Sequence, residues 1–239
     1  MVSNSVLYNT GNILSLNELK LKAGKTSEEE LVEALKIVLK DSQNVKNNFI
    51  FIYGNDINAG GGDREELKIT VKIFMQSDDP EILRDALERM LKELHINSIG
   101  TLILAYGEAQ NSGKELESLQ KLWPVLEKYI QNGTLTSVGL SNVDTGVFIK
   151  LYQWAKIRPT IVQINLAMCC VVPPVLQEFT QQNQIQLLTH NDPYHILNKD
   201  SCVELFGDEA KLNWVAKYQV HIKCRGVLSS KGYFVNITK

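Results

Sequence analysis

Residues 67–105, LKITVKIFMQSDDPEILRDALERMLKELHINSIGTLILA, contain the pattern that decides the fold. The opening LKITVKIF is rich in β-branched residues and predicts a strand. Pro80 then begins a predicted helix, in which apolar residues recur at spacings of three and four. The closing GTLILA predicts a second, buried strand. Two strands joined by one helix are expected to pair in parallel through a right-handed crossover.

The same alternation continues on both sides of this stretch. Toward the carboxyl terminus, the sequence predicts four more helices, over residues 116–130, over Asp144–Ala155, from Pro173 onward and near Leu212–Tyr218. The strands predicted between and after them are Ser137–Leu140, Ile161–Asn165, Gln186–Thr189 and Val220–Lys223. Toward the amino terminus, it predicts a weak strand Val6–Leu14, a helix Ser27–Lys40 with a capping box between Ser27 and Glu30, and a strand Phe49–Tyr53.

These patterns favour an α/β fold of the (β/α)8 TIM-barrel type, with an open doubly wound sheet as the alternative. A glycine-rich stretch, Asn58–Gly62, stands where the alternation requires the next helix, so we expect the helix after the second strand to be reduced or missing. The three glycines lack the spacing of a phosphate-binding loop and predict a turn. No linker or shift in composition divides the chain, so residues 1–239 are predicted to form a single domain.

The overall composition excludes several classes of protein. The 239 residues are 44% hydrophobic and 22% charged, with a formal net charge of −2, which argues against a nucleic-acid-binding protein. The longest apolar run, Leu166–Val172, is far shorter than the ~20 residues that cross a bilayer. The amino terminus does not resemble a signal peptide, so we expect a cytoplasmic protein without a membrane anchor. The four cysteines and four histidines have no metal-ligand spacing, and no metal is expected.

Three segments resemble the aldo-keto reductases over roughly Arg64 to Lys223. They are REELKITVK at residues 64–72, Trp123-x-x-Leu126-Glu127 followed by SVGLSN at residues 137–142, and QIN at residues 163–165. The resemblance implies a barrel whose functional site lies at the carboxyl ends of the strands. In that family a tyrosine donates a proton to the substrate carbonyl, helped by a lysine, an aspartate and a histidine.

Only part of that catalytic set has a counterpart here. The family's lysine corresponds to Lys72, but Ala105 stands in the histidine position and offers no hydrogen bond. The tyrosine and aspartate belong to the region of Tyr53 and Asp56, where the expected helix is missing. We therefore expect no hydride transfer.

The resemblance also implies a partial cofactor site. Ser141, Asn142 and Gln163 match the residues that hold the nicotinamide amide in active relatives, and Lys223 matches the lysine that meets the adenosine phosphate. Asn191 replaces the tyrosine that stacks on the nicotinamide ring. The alternative is structural: Ser141 and Asn142 cap a turn, and Gln163 satisfies buried backbone groups. No cofactor is expected to be required, and any NADP(H) is expected to bind through these four residues.

A more specific resemblance is to one branch of the superfamily, the regulatory subunits of glutamate–cysteine ligase. The segments that carry it are LYQWA at residues 151–155, QINL at 163–166, CCV-x-PP at 169–174, QLLTHNDP at 186–193, and K-x-RG-x-x-x-SKGY at 223–233. It implies a non-catalytic subunit that forms a heterodimer with the ligase catalytic subunit, improves its use of glutamate and relieves feedback inhibition by glutathione. The alternatives are an oxidoreductase or cofactor sensor that binds NADP(H), and a scaffold without kinetic effect.

Two adjacent cysteines, Cys169 and Cys170, follow the strand Ile161–Asn165 in the predicted loop at the functional end of the barrel. Neighbouring side chains in an extended chain point in different directions, so at most one is expected to be deeply buried. An exposed one could form a redox-dependent bridge to a partner; the alternative is that both fill space in the core. We expect the association to rest mainly on non-covalent contacts, because a reducing cytosol disfavours a permanent bridge.

Overall fold

A computed structural model describes residues 5–20, 24–42, 64–106, 114–165 and 171–238 of the chain. Five consecutive parallel strands form its centre, and each pairs with the next along the chain. They are β2 (Leu67–Met75), β3 (Ile99–Tyr106), β4 (Leu135–Ser141), β5 (Ile161–Asn165) and β6 (Gln186–His190).

Four helices connect these strands, as the sequence pattern predicts: α3 (Pro80–Glu93), α4 (Glu115–Gln131), α5 (Thr145–Trp154) and α6 (Pro174–Gln182). Local chemistry fixes where two of them begin. The Asp79 carboxylate accepts a hydrogen bond from the Glu81 backbone N–H, and Asp144 does the same for Gly146. Their apolar sides pack on one face of the sheet, where every second residue of β2 is buried, from Leu67 to Met75. We call this the helix-covered face.

The last part of the chain differs from the prediction. The predicted helix near Leu212–Tyr218 is wrong: these residues lie in β7 (Lys211–Ile222), which forms an antiparallel hairpin with β8 (Val227–Thr238). The physical reason is that successive side chains alternate between the two faces of the sheet. Trp214, Ala216 and Tyr218 all face the helix-covered core, while Val215 faces the opposite side. The predicted final strand from Val220 is the end of β7.

The hairpin joins the parallel strands to the amino terminus. Strand β7 pairs antiparallel with β2, and β8 pairs antiparallel with β1 (Ser5–Asn9). The weak strand predicted over Val6–Leu14 is thus shorter than expected, and a 3-10 turn at Ile13–Ser15 follows it.

A second apolar core covers the other side of β2, β7 and β8. It is formed with the helices α2 (Ser27–Ser42) and α7 (Lys199–Phe206), and we call this side the α2 face. A short helix α1 (Asn17–Lys20) precedes α2. The capping box predicted for α2 is displaced by one residue: Thr26 Oγ1 accepts from the Glu29 N–H, and Glu29 Oε2 accepts from the Thr26 N–H.

The described strands form one eight-stranded sheet in the order β1-β8-β7-β2-β3-β4-β5-β6. The α/β class and the run of parallel strands with connecting helices confirm the predicted fold class. An antiparallel hairpin and β1 occupy the position where a regular barrel would have further parallel strands. The predicted strand Phe49–Tyr53 and loop Asn58–Gly62 lie outside the described residues. Within the described ranges, no helix is long and apolar enough to cross a membrane.

Candidate functional site

The carboxyl ends of the parallel strands meet a group of buried polar side chains on the α2 face. Lys72 lies on β2, and Lys217 lies directly opposite it on β7 in the register of the antiparallel pair. Residues opposite each other in a sheet point to the same side, so both ammonium groups enter the same space. Asp192, from the segment that follows β6, lies between them and is 4% exposed.

The Asp192 carboxylate binds three side chains from three different elements. Lys72 Nζ donates to Asp192 Oδ2 at 2.9 Å, and Lys217 Nζ donates to Asp192 Oδ1 at 2.7 Å. Ser27 Oγ, in the first turn of α2, also donates to Oδ1 at 2.7 Å. The backbone oxygen of Asp192 accepts from Asn165 Nδ2 at 2.8 Å. One carboxylate therefore connects β2, β7 and α2, while its backbone is fixed to β5. We call Lys72, Lys217, Ser27 and Asp192 the carboxylate cluster.

Burial and charge act in opposite directions in this cluster. Burial lowers the pKa of Lys72 to about 8, although the Asp192 charge and hydrogen bond favour the ammonium form. For Asp192, burial alone would raise the pKa of the carboxyl group. The charges of Lys72 and Lys217, with hydrogen bonds from Lys217 and Ser27, outweigh that effect and hold the pKa below its usual value. Asp192 is therefore ionised at neutral pH.

His190, the last residue of β6, lies next to this cluster and binds the end of β4. Its Nε2 lies 2.9 Å from Ser141 Oγ and 2.9 Å from Asn142 Oδ1. Its Nδ1 accepts from the Asp192 backbone N–H at 3.1 Å. Burial first, and then the charge of Lys72, lower the pKa of His190 to about 4, so the ring is neutral at pH 7.

Ser141, His190 and Asp192 are the residue types of a catalytic nucleophile, base and acid. The donor and acceptor roles of the His190 nitrogens, however, are the reverse of those in such a triad. Because Nδ1 of the neutral ring accepts a hydrogen bond from the Asp192 backbone N–H, Nε2 carries the ring proton and is the hydrogen-bond donor. A ring that donates toward Ser141 Oγ is not a base for that hydroxyl. This arrangement fixes the end of β4 to β6 and does not activate a serine.

Gln163 is the neighbour of Ser141 in the register of β4 and β5. Its backbone oxygen accepts from the Asn142 N–H at 3.1 Å, and Asn142 is in the left-handed region with φ 59°. The side-chain Oε1 of Gln163 is buried without a hydrogen-bond partner. Ser141, Asn142 and Gln163 therefore lie together at the carboxyl ends of β4 and β5.

Residues 24–192 match the model of the aldo/keto reductase family. The chain belongs to the aldo/keto reductase family. The human glutamate–cysteine ligase regulatory subunit is 30% identical over 246 residues, which cover 95% of this chain and 90% of the human protein. The mouse protein of the same name is 31% identical with the same coverage. The solved aldo/keto reductase of Brucella melitensis gives a TM-score of 0.49 at 19% identity, covering 75% of this chain and 70% of that chain.

Lys72 and Ala105 stand at the positions that match the catalytic lysine and histidine of aldo/keto reductases. The Lys72 ammonium binds Asp192, and its Nζ lies 5.2 Å from the centre of the Phe74 ring. Ala105 is 6% exposed and belongs to the apolar core of the α2 face. Tyr53 and Asp56, which lie in the region that corresponds to the family's tyrosine and aspartate, are outside the described residues.

Lys223 does not join the other three predicted cofactor residues. Its backbone N–H donates to the Glu66 oxygen at 2.8 Å, and its Nζ donates to the Glu65 oxygen at 2.6 Å. Glu66 precedes β2, whereas Ser141 lies level with Phe74 near the other end of the strands. The distance along the strands is on the order of 25 Å. The predicted four-residue site is thus corrected: β7 runs antiparallel to β2, which takes Lys223 to the amino ends of the parallel strands.

The space beside Ser141 and Asn142 does not fit a nicotinamide ring in this arrangement. The cavity there has a volume of about 10 Å³ and is lined in part by Ala105, Tyr106 and Tyr194. That is room for about one water molecule. The polar atoms of Ser141 and Asn142 that would face an amide already bind His190.

The remaining predicted sites concern cysteines and metals. Cys169 and Cys170 lie outside the described residues, so their predicted roles stay predictions. Of the cysteines in the described part, Cys202 is buried in α7 and Cys224 is exposed in the turn of the β7–β8 hairpin. Within the described residues, no three histidine, cysteine, aspartate or glutamate side chains are grouped to hold a metal ion.

Sequence reasoning missed Asp192, Lys217 and Ser27 as site residues. The helix predicted near Leu212–Tyr218 gave no reason to select Lys217, since a lysine on a helix surface is ordinarily solvated. A correct two-residue period from Trp214 to Val220 would have placed Lys217 on the opposite face to the buried aromatic residues. One feature of the sequence could have indicated Asp192, because it lies three residues after the predicted strand Gln186–Thr189, at the functional end of the sheet.

Proposed function

We propose that this chain is a non-catalytic regulatory subunit that binds the catalytic subunit of glutamate–cysteine ligase in a cytoplasmic heterodimer. The observation that carries the proposal is the 30% identity to the human regulatory subunit across 95% of this chain and 90% of that protein. Similarity over nearly the whole of both chains favours a shared role for the complete fold. On the same ground we propose that residues 1–239 act as a single domain.

The geometry of the candidate site supports the absence of oxidoreductase activity in this proposal. Ala105 offers no polar side-chain atom to a substrate carbonyl. His190 is a neutral ring whose two nitrogens bind protein groups. No described group is arranged to donate a proton to a carbonyl beside a hydride donor, and no cofactor is required.

The proposed regulation is a coupling of free energies. The chain improves glutamate use if it binds more tightly to the catalytic subunit that holds glutamate than to the free one. By the same reasoning, it relieves feedback inhibition if it binds less tightly to the glutathione-bound form. The two effects share one requirement, which is that this chain distinguishes two conformations of its partner.

The association itself is tested by size-exclusion chromatography of the two purified subunits in reductant. We expect a complex with one copy of each subunit, which persists when Cys169→Ser and Cys170→Ser are combined. The human regulatory subunit is the positive control. Separate elution of the two proteins at micromolar concentration would contradict the proposal. Loss of the complex only in the cysteine double variant would show that the two cysteine side chains take part in the non-covalent contacts, since a disulfide does not persist in reductant.

The absence of hydride transfer is tested separately. We expect no oxidation of NADPH with aldehyde or ketone substrates above the rate without protein, because loss of single catalytic groups typically costs ~10²-fold or more. Tyr53→Phe is the matched control, and it should leave this background unchanged. Turnover that disappears in Tyr53→Phe would identify an active reductase and overturn this part of the proposal.

A further inference from the structure

We propose that Lys72, Lys217 and Ser27 form a binding site for a small carboxylate, and that the structure shows this site closed by the chain's own Asp192. Nothing in the proposed regulatory function requires such a site. The inference rests on which part of the cluster is fixed by regular structure and which part is supplied by a connecting segment.

The three donors belong to regular elements. Lys72 and Lys217 are paired across β2 and β7, and both are anchored in the sheet. Ser27 is the first residue of α2, and its Oγ also accepts from Lys217 Nζ at 3.1 Å. These donors converge on the same two oxygen positions at 2.7–2.9 Å, a geometry suited to a carboxylate.

The acceptor belongs to the connection between β6 and α7. This connection has no helix or strand from residue 191 to residue 198. Asp192 is held there by Asn165 and His190 through its backbone, while Ile196 and Leu197 are buried in the α2-face core. The donors thus belong to the sheet and α2, whereas the carboxylate is supplied by a connecting segment outside the regular elements.

The charge balance shows why the site prefers an anion. Two ammonium groups, of which Lys72 is buried and Lys217 is half-buried, face one carboxylate, since both bind Asp192. The nearby Glu30 carboxylate binds Lys231 and the Tyr233 hydroxyl. Without Asp192, the buried Lys72 and the half-buried Lys217 would lose their counter-charge, and an external carboxylate of matching size would restore it.

The internal carboxylate competes strongly with any free ligand. A tethered group acts at an effective concentration of ~1 mM or more without the cost of bringing two molecules together. The native chain is therefore expected to bind a free carboxylate poorly while Asp192 remains in place. Binding requires that the 191–198 segment moves away from the two lysines.

The test removes the internal ligand and supplies a free one. Asp192→Ala removes the carboxylate and leaves a space close to the size of formate. We expect formate to raise the thermal midpoint of this variant by several degrees, with saturation in the millimolar range, relative to chloride at equal ionic strength. Acetate, which carries one more methyl group, should act more weakly. The unaltered chain should show no difference between formate and chloride.

A second substitution separates binding from general salt effects. In the double variant Asp192→Ala with Lys72→Met, one unpaired buried cation is gone. We expect a higher midpoint in chloride than for Asp192→Ala alone, and no specific response to formate. Asp192→Asn, which keeps the shape but not the charge, should also fail to respond because the amide fills the space.

The outcomes are distinct. A formate-specific rise that depends on Lys72 supports a carboxylate site. An equal response to chloride, or a formate response that persists in the double variant, would overturn it. If Asp192→Ala does not fold in chloride, the yield of refolded protein in formate becomes the readout, and failure to refold at any formate concentration would equally contradict the inference.

Discussion

The two faces of the sheet are stabilised by different physical effects. The helix-covered face buries apolar side chains that recur with the periods of helices and strands, such as Ile73 of β2 and Leu87 of α3. The α2 face also has an apolar core, but ionised groups cross it where Lys72 and Lys217 meet Asp192. The first face depends on area removed from water, which changes little with pH. The second depends on charge states, so pH and counter-charges should act on it selectively.

The largest expected effect is on the helix-covered face. Phe148 of α5 is fully buried, and its ring lies 6.3 Å from the Phe179 ring in an edge-to-face arrangement. Phe148→Ala should lower the free energy of unfolding by about 3–5 kcal/mol, because it removes apolar contacts and leaves a cavity. Urea denaturation measures this loss. Phe148→Leu is the matched control and should lower the free energy of unfolding much less. If the effect of Phe148→Ala grew strongly as the pH was lowered, the helix-covered face would depend on charge states as the α2 face does.

The next effect concerns His190 and the α2 face. The pKa of His190 is about 4 in the folded chain and about 6.5 when exposed, so the unfolded chain binds more protons between these values. The contribution of the neutral His190 ring to the free energy of unfolding is therefore fully present above pH 6.5 and is lost as the pH falls toward 4. The loss should be about 1–3 kcal/mol.

The control for this pH effect is His190→Gln. Glutamine has no titration in this range and can still reach Ser141 and Asn142. Its stability should depend less on pH between 6.5 and 4 than that of the unaltered chain, as measured by urea denaturation at several pH values. Identical pH profiles for the two proteins would show that His190 is not held neutral by its surroundings.

The smallest effect is at the start of α2, which delivers Ser27 to the carboxylate cluster. Thr26 Oγ1 accepts from the Glu29 N–H, so Thr26→Ala should cost about 1 kcal/mol through loss of the helix cap. Thr26→Ser keeps the acceptor oxygen and should be nearly neutral. Thermal unfolding of the pair measures the difference. An equal loss in both variants would point to packing of the threonine methyl group instead of capping.

The helix-covered face could be predicted from the sequence because its signals are local. Pro80 and the spacing of apolar residues define α3, and the β-branched run at Leu67 defines β2. The helix predicted near the end of the chain is wrong because helical and strand periods both fit the segment KLNWVAKYQVHI. It contains enough apolar residues to resemble a helix, yet its buried residues Trp214, Ala216, Tyr218 and Val220 recur at every second position, as in a strand.

The carboxylate cluster could not be predicted because its contacts are long-range. Ser27 and Asp192 are separated by 165 positions, and Lys72 and Asp192 by 120. The resemblance to aldo/keto reductases identified Lys72 but not its partner. It also grouped Lys223 with Ser141, because alignment of residues does not show that β7 runs antiparallel to β2. Strand direction depends on pairing across the whole sheet, which a local pattern does not specify.

The proposed regulatory role is a change in how a glutamate–cysteine ligase catalytic subunit uses glutamate. The most direct measurement is the rate of ligase reaction against glutamate concentration, with and without a saturating amount of this chain, at several glutathione concentrations and with no NADP(H) present. We expect a lower KM for glutamate and a higher glutathione concentration for half-inhibition when the chain is added. Unchanged KM and unchanged inhibition, in a sample where the complex is shown to form, would contradict it.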